Sequence, residues 1–161
     1  MATLADFTRS NLILPRLRGN DAASVIRELA EALEQGGDIR NALEFSQAAL
    51  DRERKASTEM TAGMAFPHAR FTGANQIRFA LGRSEQPIRW GLVGSSSVRL
   101  VFLLAIPIDD TLQSLRLISG LARLSKESPT ITRLLEATDA IRMLDILGSV
   151  GLRSPAVTDA A

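Results

Sequence analysis

Cysteine is absent from this chain, and histidine occurs once in its 161 residues. Without thiols there is no disulfide, no cysteine nucleophile and no cysteine-ligated zinc. A single histidine excludes metal motifs built on histidine pairs, and no calcium-loop pattern of carboxylates occurs. A large charge excess is missing too: the formal net charge is +1, with no basic run to attract nucleic acid or an acidic membrane. No apolar stretch reaches the roughly 20 residues that span a bilayer. Met1 to Arg9 lacks the charged-then-apolar layout of a secretory leader, so a cytoplasmic protein is expected. Neither a metal nor a cofactor is expected, and neither nucleic-acid binding nor membrane insertion.

What is present fits one domain with a core of its own. Hydrophobic residues make up 45% and charged residues 23%, ordinary for a globular chain. Leu12 to Leu17 reads as a short extended piece, pushed to an edge by Pro15. Asn20 or Asp21 caps a helix with Val25, Ile26, Leu29, Ala30 and Leu33 at helical spacing. Gly36-Gly37 stops it, and Asp38 is expected to cap a second helix through Ile39, Ala42, Leu43 and Leu50. That helix ends in Asp51-Arg52-Glu53-Arg54-Lys55, which by charge pattern alone is a solvated helix end whose cations suit the dipole.

Strand patterns follow. Ile77 to Leu81 alternates weakly, whereas Val98 to Ile106 is almost continuously apolar, as in a central strand covered on both faces. Pro107 ends that run, and Asp109-Asp110 opens a helix carrying Leu112, Leu115, Ile118, Leu121, Ala122 and Leu124. Its wide apolar arc predicts deep burial against the sheet. Two shorter helices are expected around Thr130 to Ala137 and Ala140 to Leu147. The order implies an α/β sandwich in one domain, a mixed central sheet flanked by helices. The domain is expected over 1–148, with a flexible tail over 149–161 that has little to bury.

The histidine is His68, in Gly63-Met64-Ala65-Phe66-Pro67-His68-Ala69-Arg70, where a strand should end and a loop begin. Its ordinary pKa of roughly 6.5 makes histidine the side chain suited to nucleophilic work near neutral pH. The loop before it, Ala56 to Gly63, holds Ser57, Thr58 and Thr61, whose hydroxyls and backbone N–H groups can bind phosphate oxygens. Arg52 can reach in with a planar pair of donors. The start of the helix near Asp110 adds a positive dipole end, partly cancelled by the two aspartates.

Leu50-Asp51-Arg52-Glu53, then Ser57-Thr58, then Gly63 to Arg70 resemble the signature of enzyme IIA domains of the sugar phosphotransferase system, in the fructose/mannitol branch that includes nitrogen-related regulatory proteins. The likeness continues through Gly82-Arg83-Ser84, Ile88-Arg89-Trp90 and Val98 to Pro107. It resumes at Leu112-Gln113-Ser114-Leu115 and Leu121-Ala122-Arg123-Leu124, covering roughly Leu4 to Leu147. The resemblance implies that His68 accepts a phosphoryl group from the histidine-containing phosphocarrier protein and passes it to a IIB cysteine, or signals by its phosphorylation state. Arg52 would then be the phosphoryl clamp. No IIB or IIC portion accompanies the domain in this sequence, so a regulatory member fits at least as well as a transport component.

Two departures from the family pattern stand out. The family's second active-site histidine, at the start of the helix before the Leu-Gln pair, is Thr111 here. Helical projection puts Thr111 with Leu115, Ile118 and Ala122, facing inward, where a hydroxyl offers one hydrogen bond but no charge. Glu59 and Thr61 stand where relatives commonly carry glycine, and Glu59 is expected to face solvent. These departures favour the alternative, a phosphorylation-poor binding module of the same fold that acts by protein contact.

Overall fold

The computed structural model describes residues 1–91 and 97–154. Its centre is strand β5, Val98–Ile106, buried on both sides as its composition implies. Alternation along a strand sends Leu100, Phe102 and Leu104 into one core and Val101, Leu103 and Ala105 into the other. β5 pairs antiparallel with β4 (Arg78–Ile88) and parallel with β2 (Met64–Ala65) and β3 (His68–Arg70). β1 (Ile13–Leu14) adds to the far side of β4 in parallel, on an edge as Pro15 requires. The sheet is therefore mixed, and β2 and β3 share one rung at its other edge.

Helices α1 (Ala22–Gln35) and α2 (Ala42–Lys55) cover one face. Helices α3 (Leu112–Leu124), α4 (Ser128–Glu136) and α5 (Ala140–Leu147) cover the other, with Leu4 and Phe7 from the N-terminal turn. Asp21 caps α1 by accepting from the Ser24 N–H at 2.9 Å. No helix among the described residues is long and apolar enough to cross a membrane.

Four local expectations are corrected. Asp38 does not cap α2; Asn41 does, in the left-handed region at φ 61°, accepting from the Glu44 N–H. Asn tolerates that backbone, which leaves Asp38 to bury its carboxylate against the Arg9 guanidinium at 2.6 Å. The strand expected to end at Leu81 runs on to Ile88 through polar residues, with an irregular register after Arg83. Helix α3 buries the stripe Ser114, Leu117, Leu121 and Leu124, while Leu112 and Leu115 are 64% and 60% exposed. Two apolar stripes share that helix, and periodicity could not choose between them. Beyond Gly148 the chain remains in the core: Val150 and Leu152 are buried, and the Leu152 N–H donates to Ala2 O at 2.8 Å. The part of the expected tail over 155–161 lies outside the described residues.

Candidate functional site

His68 opens β3 on the sheet edge, half-buried, just after the break that Phe66-Pro67 makes in the strand. Proline has no N–H for a ladder and is tolerated there because the edge needs none. The run into the break is set by Gly63 at φ +79°, where an added Cβ would lie 2.8 Å from the Ser97 carbonyl oxygen. Only glycine fits that approach. Strand alternation then puts His68 and Arg70 on the same side, with Ala69 turned into the core.

A cleft of about 410 Å³ opens there between α2 and α3. Arg52, His68 and Arg70 line it, with apolar walls from Ala48, Ile106, Leu115 and Ile118. The His68 Nδ1 lies 3.0 Å from the Phe66 carbonyl oxygen. A carbonyl only accepts, so Nδ1 carries the proton and the Nε2 lone pair is left available. Burial lowers the His68 pKa below its ordinary value. The Phe66 carbonyl and Glu53 oppose that shift, while the positive charges of Arg52 and Arg70 add to it. The shift favours the neutral ring, the form a nucleophile needs.

Arg52 is half-buried in the last turn of α2 and donates through one terminal nitrogen to Ala56 O at 2.9 Å. Its neighbour Glu53 behaves unlike the solvated charge expected of it. Ala42, Ser46, Ala49 and Glu53 form one buried stripe, and the Glu53 carboxylate is 6% exposed. It accepts the Ser57 hydroxyl at 3.1 Å, the Thr58 N–H at 2.7 Å, the Thr58 hydroxyl at 2.8 Å and the Trp90 Nε1–H at 2.9 Å. Four neutral donors satisfy this buried carboxylate.

The other sequence-derived candidates fall unevenly. Ser57 and Thr58 direct their hydroxyl protons to Glu53, and Thr58 Oγ1 also accepts the Phe66 N–H at 2.9 Å. Thr111 is the exposed N-cap residue of α3 and makes no capping bond with its side chain; it turns outward, not into the core. The actual cap is Asp110, whose Oδ1 accepts from the Gln113 and Ser114 N–H groups. Glu59 is exposed, as expected. Two residues at or beside the cleft were not among the candidates taken from the sequence, Arg70 in its lining and Glu53 behind it. Arg70 was legible from its two-residue offset to His68 on a strand. Glu53 was legible from its spacing to Ala42, Ser46 and Ala49, which outweighs the charges around it. Among the described residues no three metal-ligating side chains come together.

Residues 6–150 match the model of the family described as "Phosphoenolpyruvate-dependent sugar phosphotransferase system, EIIA 2". The chain belongs to that family. It is 28% identical over 145 residues to a nitrogen regulatory protein of Bradyrhizobium diazoefficiens, covering 89% of this chain and 94% of the relative. It is 29% identical over 123 residues to the transcriptional regulator ManR of Bacillus subtilis, covering 76% of this chain but spanning only 18% of that longer protein. The fold matches the crystal structure of nitrogen regulatory protein IIA-Ntr from Neisseria meningitidis with a TM-score of 0.76 at 21% identity, covering 89% of this chain and 98% of that one. The matched stretch is thus nearly the whole of one relative and a small part of the other.

Proposed function

We propose that this EIIA domain is a phosphoryl carrier whose acceptor is the Nε2 of His68. The observation that carries the reading is the hydrogen bond from His68 Nδ1 to Phe66 O, which fixes the tautomer with Nε2 unprotonated at a cleft holding two guanidinium groups. The donor is the phosphohistidine of the histidine-containing phosphocarrier protein. As the Nε2–P bond forms, the donor's N–P bond breaks, and the donor ring leaves as neutral imidazole. His68 keeps its Nδ1 proton throughout, and the charge that develops on its ring rests on the Phe66 carbonyl. Phosphoryl transfer needs chiefly in-line placement and charge stabilisation, which Arg52 and Arg70 supply to the equatorial oxygens. Thr111, exposed at the start of α3, is not among the residues lining the cleft and has no part in this step. Ser57 and Thr58 serve the group indirectly, through the bonds that shape the loop. The phosphoryl group then goes to a IIB cysteine or remains as a signal to a regulatory target in the cytoplasm.

One observation favours the second reading, a binding module little used for phosphorylation: Thr111 offers no cation at the helix start. Incubation with phosphoenolpyruvate, enzyme I and the phosphocarrier separates the two. The carrier reading expects an acid-labile phosphoryl adduct by intact mass, absent from His68→Ala. No adduct on the wild type, or one that survives His68→Ala, leaves the binding module.

A further inference from the structure

We propose that Glu53 is the positioning residue of this site, setting both the imidazole of His68 and the guanidinium of Arg52 through hydrogen-bonded arms; the inference rests on the reading of His68 as phosphoryl acceptor. The first arm runs from Glu53 Oε1, which accepts the Thr58 hydroxyl at 2.8 Å, to Thr58 Oγ1, which accepts the Phe66 N–H at 2.9 Å. It ends where the Phe66 carbonyl accepts His68 Nδ1–H at 3.0 Å. Pro67 restricts the backbone of Phe66 to extended conformations, so pinning its N–H also aims its carbonyl. The second arm uses Glu53 Oε2, which accepts the Ser57 hydroxyl and the Thr58 N–H and so holds the loop after α2. The first residue of that loop, Ala56, presents its carbonyl to Arg52.

The carboxylate suits this task because it only accepts, and every group facing it here donates. The Trp90 indole N–H, at 2.9 Å, fixes its remaining orientation from β4's end of the molecule. Glu53, Thr58, Phe66 and Trp90 are buried, which shields the first arm from water as far as the half-buried ring of His68, whereas the second arm passes through the exposed Ser57 and Ala56. Glu53 itself does not line the cleft that His68 shares with Arg52. It acts through its neighbours.

The single histidine makes the test direct. In protein labelled with ¹⁵N-histidine, the ring nitrogen shifts give the ratio of Nδ1–H to Nε2–H tautomer without any phosphoryl donor. Thr58→Val keeps shape and removes both hydroxyl bonds; Thr58→Ser keeps them. The ratio in Thr58→Val is expected to fall about threefold to tenfold, the equilibrium value of one hydrogen bond, with a parallel fall in phosphorylation rate. Thr58→Ser restores both. The Trp90 indole N–H resonance, unmoved in Thr58→Val, shows that Glu53 has stayed in place. Glu53→Gln, which puts an NH₂ against these donors, is the second variant and is expected to lose more rate than Thr58→Val, because both arms loosen. A Thr58→Val or Glu53→Gln protein with the wild-type tautomer ratio overturns the proposal, and so does a shifted ratio with an unchanged rate. Should the wild type accept no phosphoryl group, the carrier reading fails, whereas the tautomer comparison still decides whether Glu53 positions the ring.

Discussion

The Nδ1 of His68 lies 3.0 Å from the carbonyl oxygen of Phe66, two residues back along its own chain. That contact is local, and it leaves Nε2 as the ring nitrogen with an available lone pair. It also opposes the fall in pKa that burial, with Arg52 and Arg70, imposes on the ring.

The net direction is down, which has a signed consequence for stability. The unfolded chain takes up a proton near the ordinary value of about 6.5, whereas folded His68 does so only at lower pH. Stability contributed by this group is therefore complete above the unfolded value and is lost as pH falls towards the folded one. Denaturant unfolding at several pH values from about 7 to about 5 should show a steeper acid loss in the wild type than in His68→Gln. Equal slopes would count against the lowered pKa.

Arg52 is expected to matter more for rate than for folding. Arg52→Gln removes one cation from the cleft and the bond to Ala56 O. Phosphorylation of His68 should slow by about 10²-fold, the typical value of a charge-stabilising donor. The His68 pKa should rise at the same time, because Arg52 is one of the charges that lower it. A histidine titration by NMR alongside the rate measurement checks both.

Trp90 is expected to behave as a structural residue. Trp90→Phe takes one donor from the buried Glu53 carboxylate and leaves a gap in the core below the sheet end. The loss should be about 2–3 kcal/mol, seen as a fall in Tm of roughly 5–10 °C. A thermal scan that shows no change would mean that the indole bond contributes nothing net.

These predictions draw on features of unequal legibility. The doubly covered strand Val98–Ile106 could be read at once, because nine nearly unbroken apolar residues bounded by proline admit few other placements. His68 and Arg52 were legible through pattern and spacing. Glu53 sits on the spacing of Ala42, Ser46 and Ala49, yet the run of charges around it led to a solvent-facing assignment. Thr111 and Leu115 were misplaced for a related reason: α3 carries two apolar stripes, and only the packing of α4 and α5 decides which one is covered. Ser57 and Thr58 belong to the site region, yet their partner could not be foreseen while Glu53 was assigned to solvent.

The exposed Thr111 leads to a gain-of-function prediction. It stands one turn before Leu115, which lines the cleft, so an imidazole there reaches towards the same space. Thr111→His should raise the phosphorylation rate by about tenfold if a second positively polarised donor is what the cleft lacks. Stopped-flow or quench measurement with the phosphocarrier in excess reads it; an unchanged or slower rate would show that Arg52 and Arg70 already suffice.

The carrier reading rests on one atom, and that atom can be observed. Protein labelled with ¹⁵N-histidine, phosphorylated through enzyme I and the phosphocarrier, should show by ³¹P and ¹⁵N NMR a single phosphoryl group bonded to Nε2 of His68, with Nδ1 still protonated. A phosphoryl group on Nδ1, or a histidine that stays unmodified while the carrier is fully charged, would contradict it.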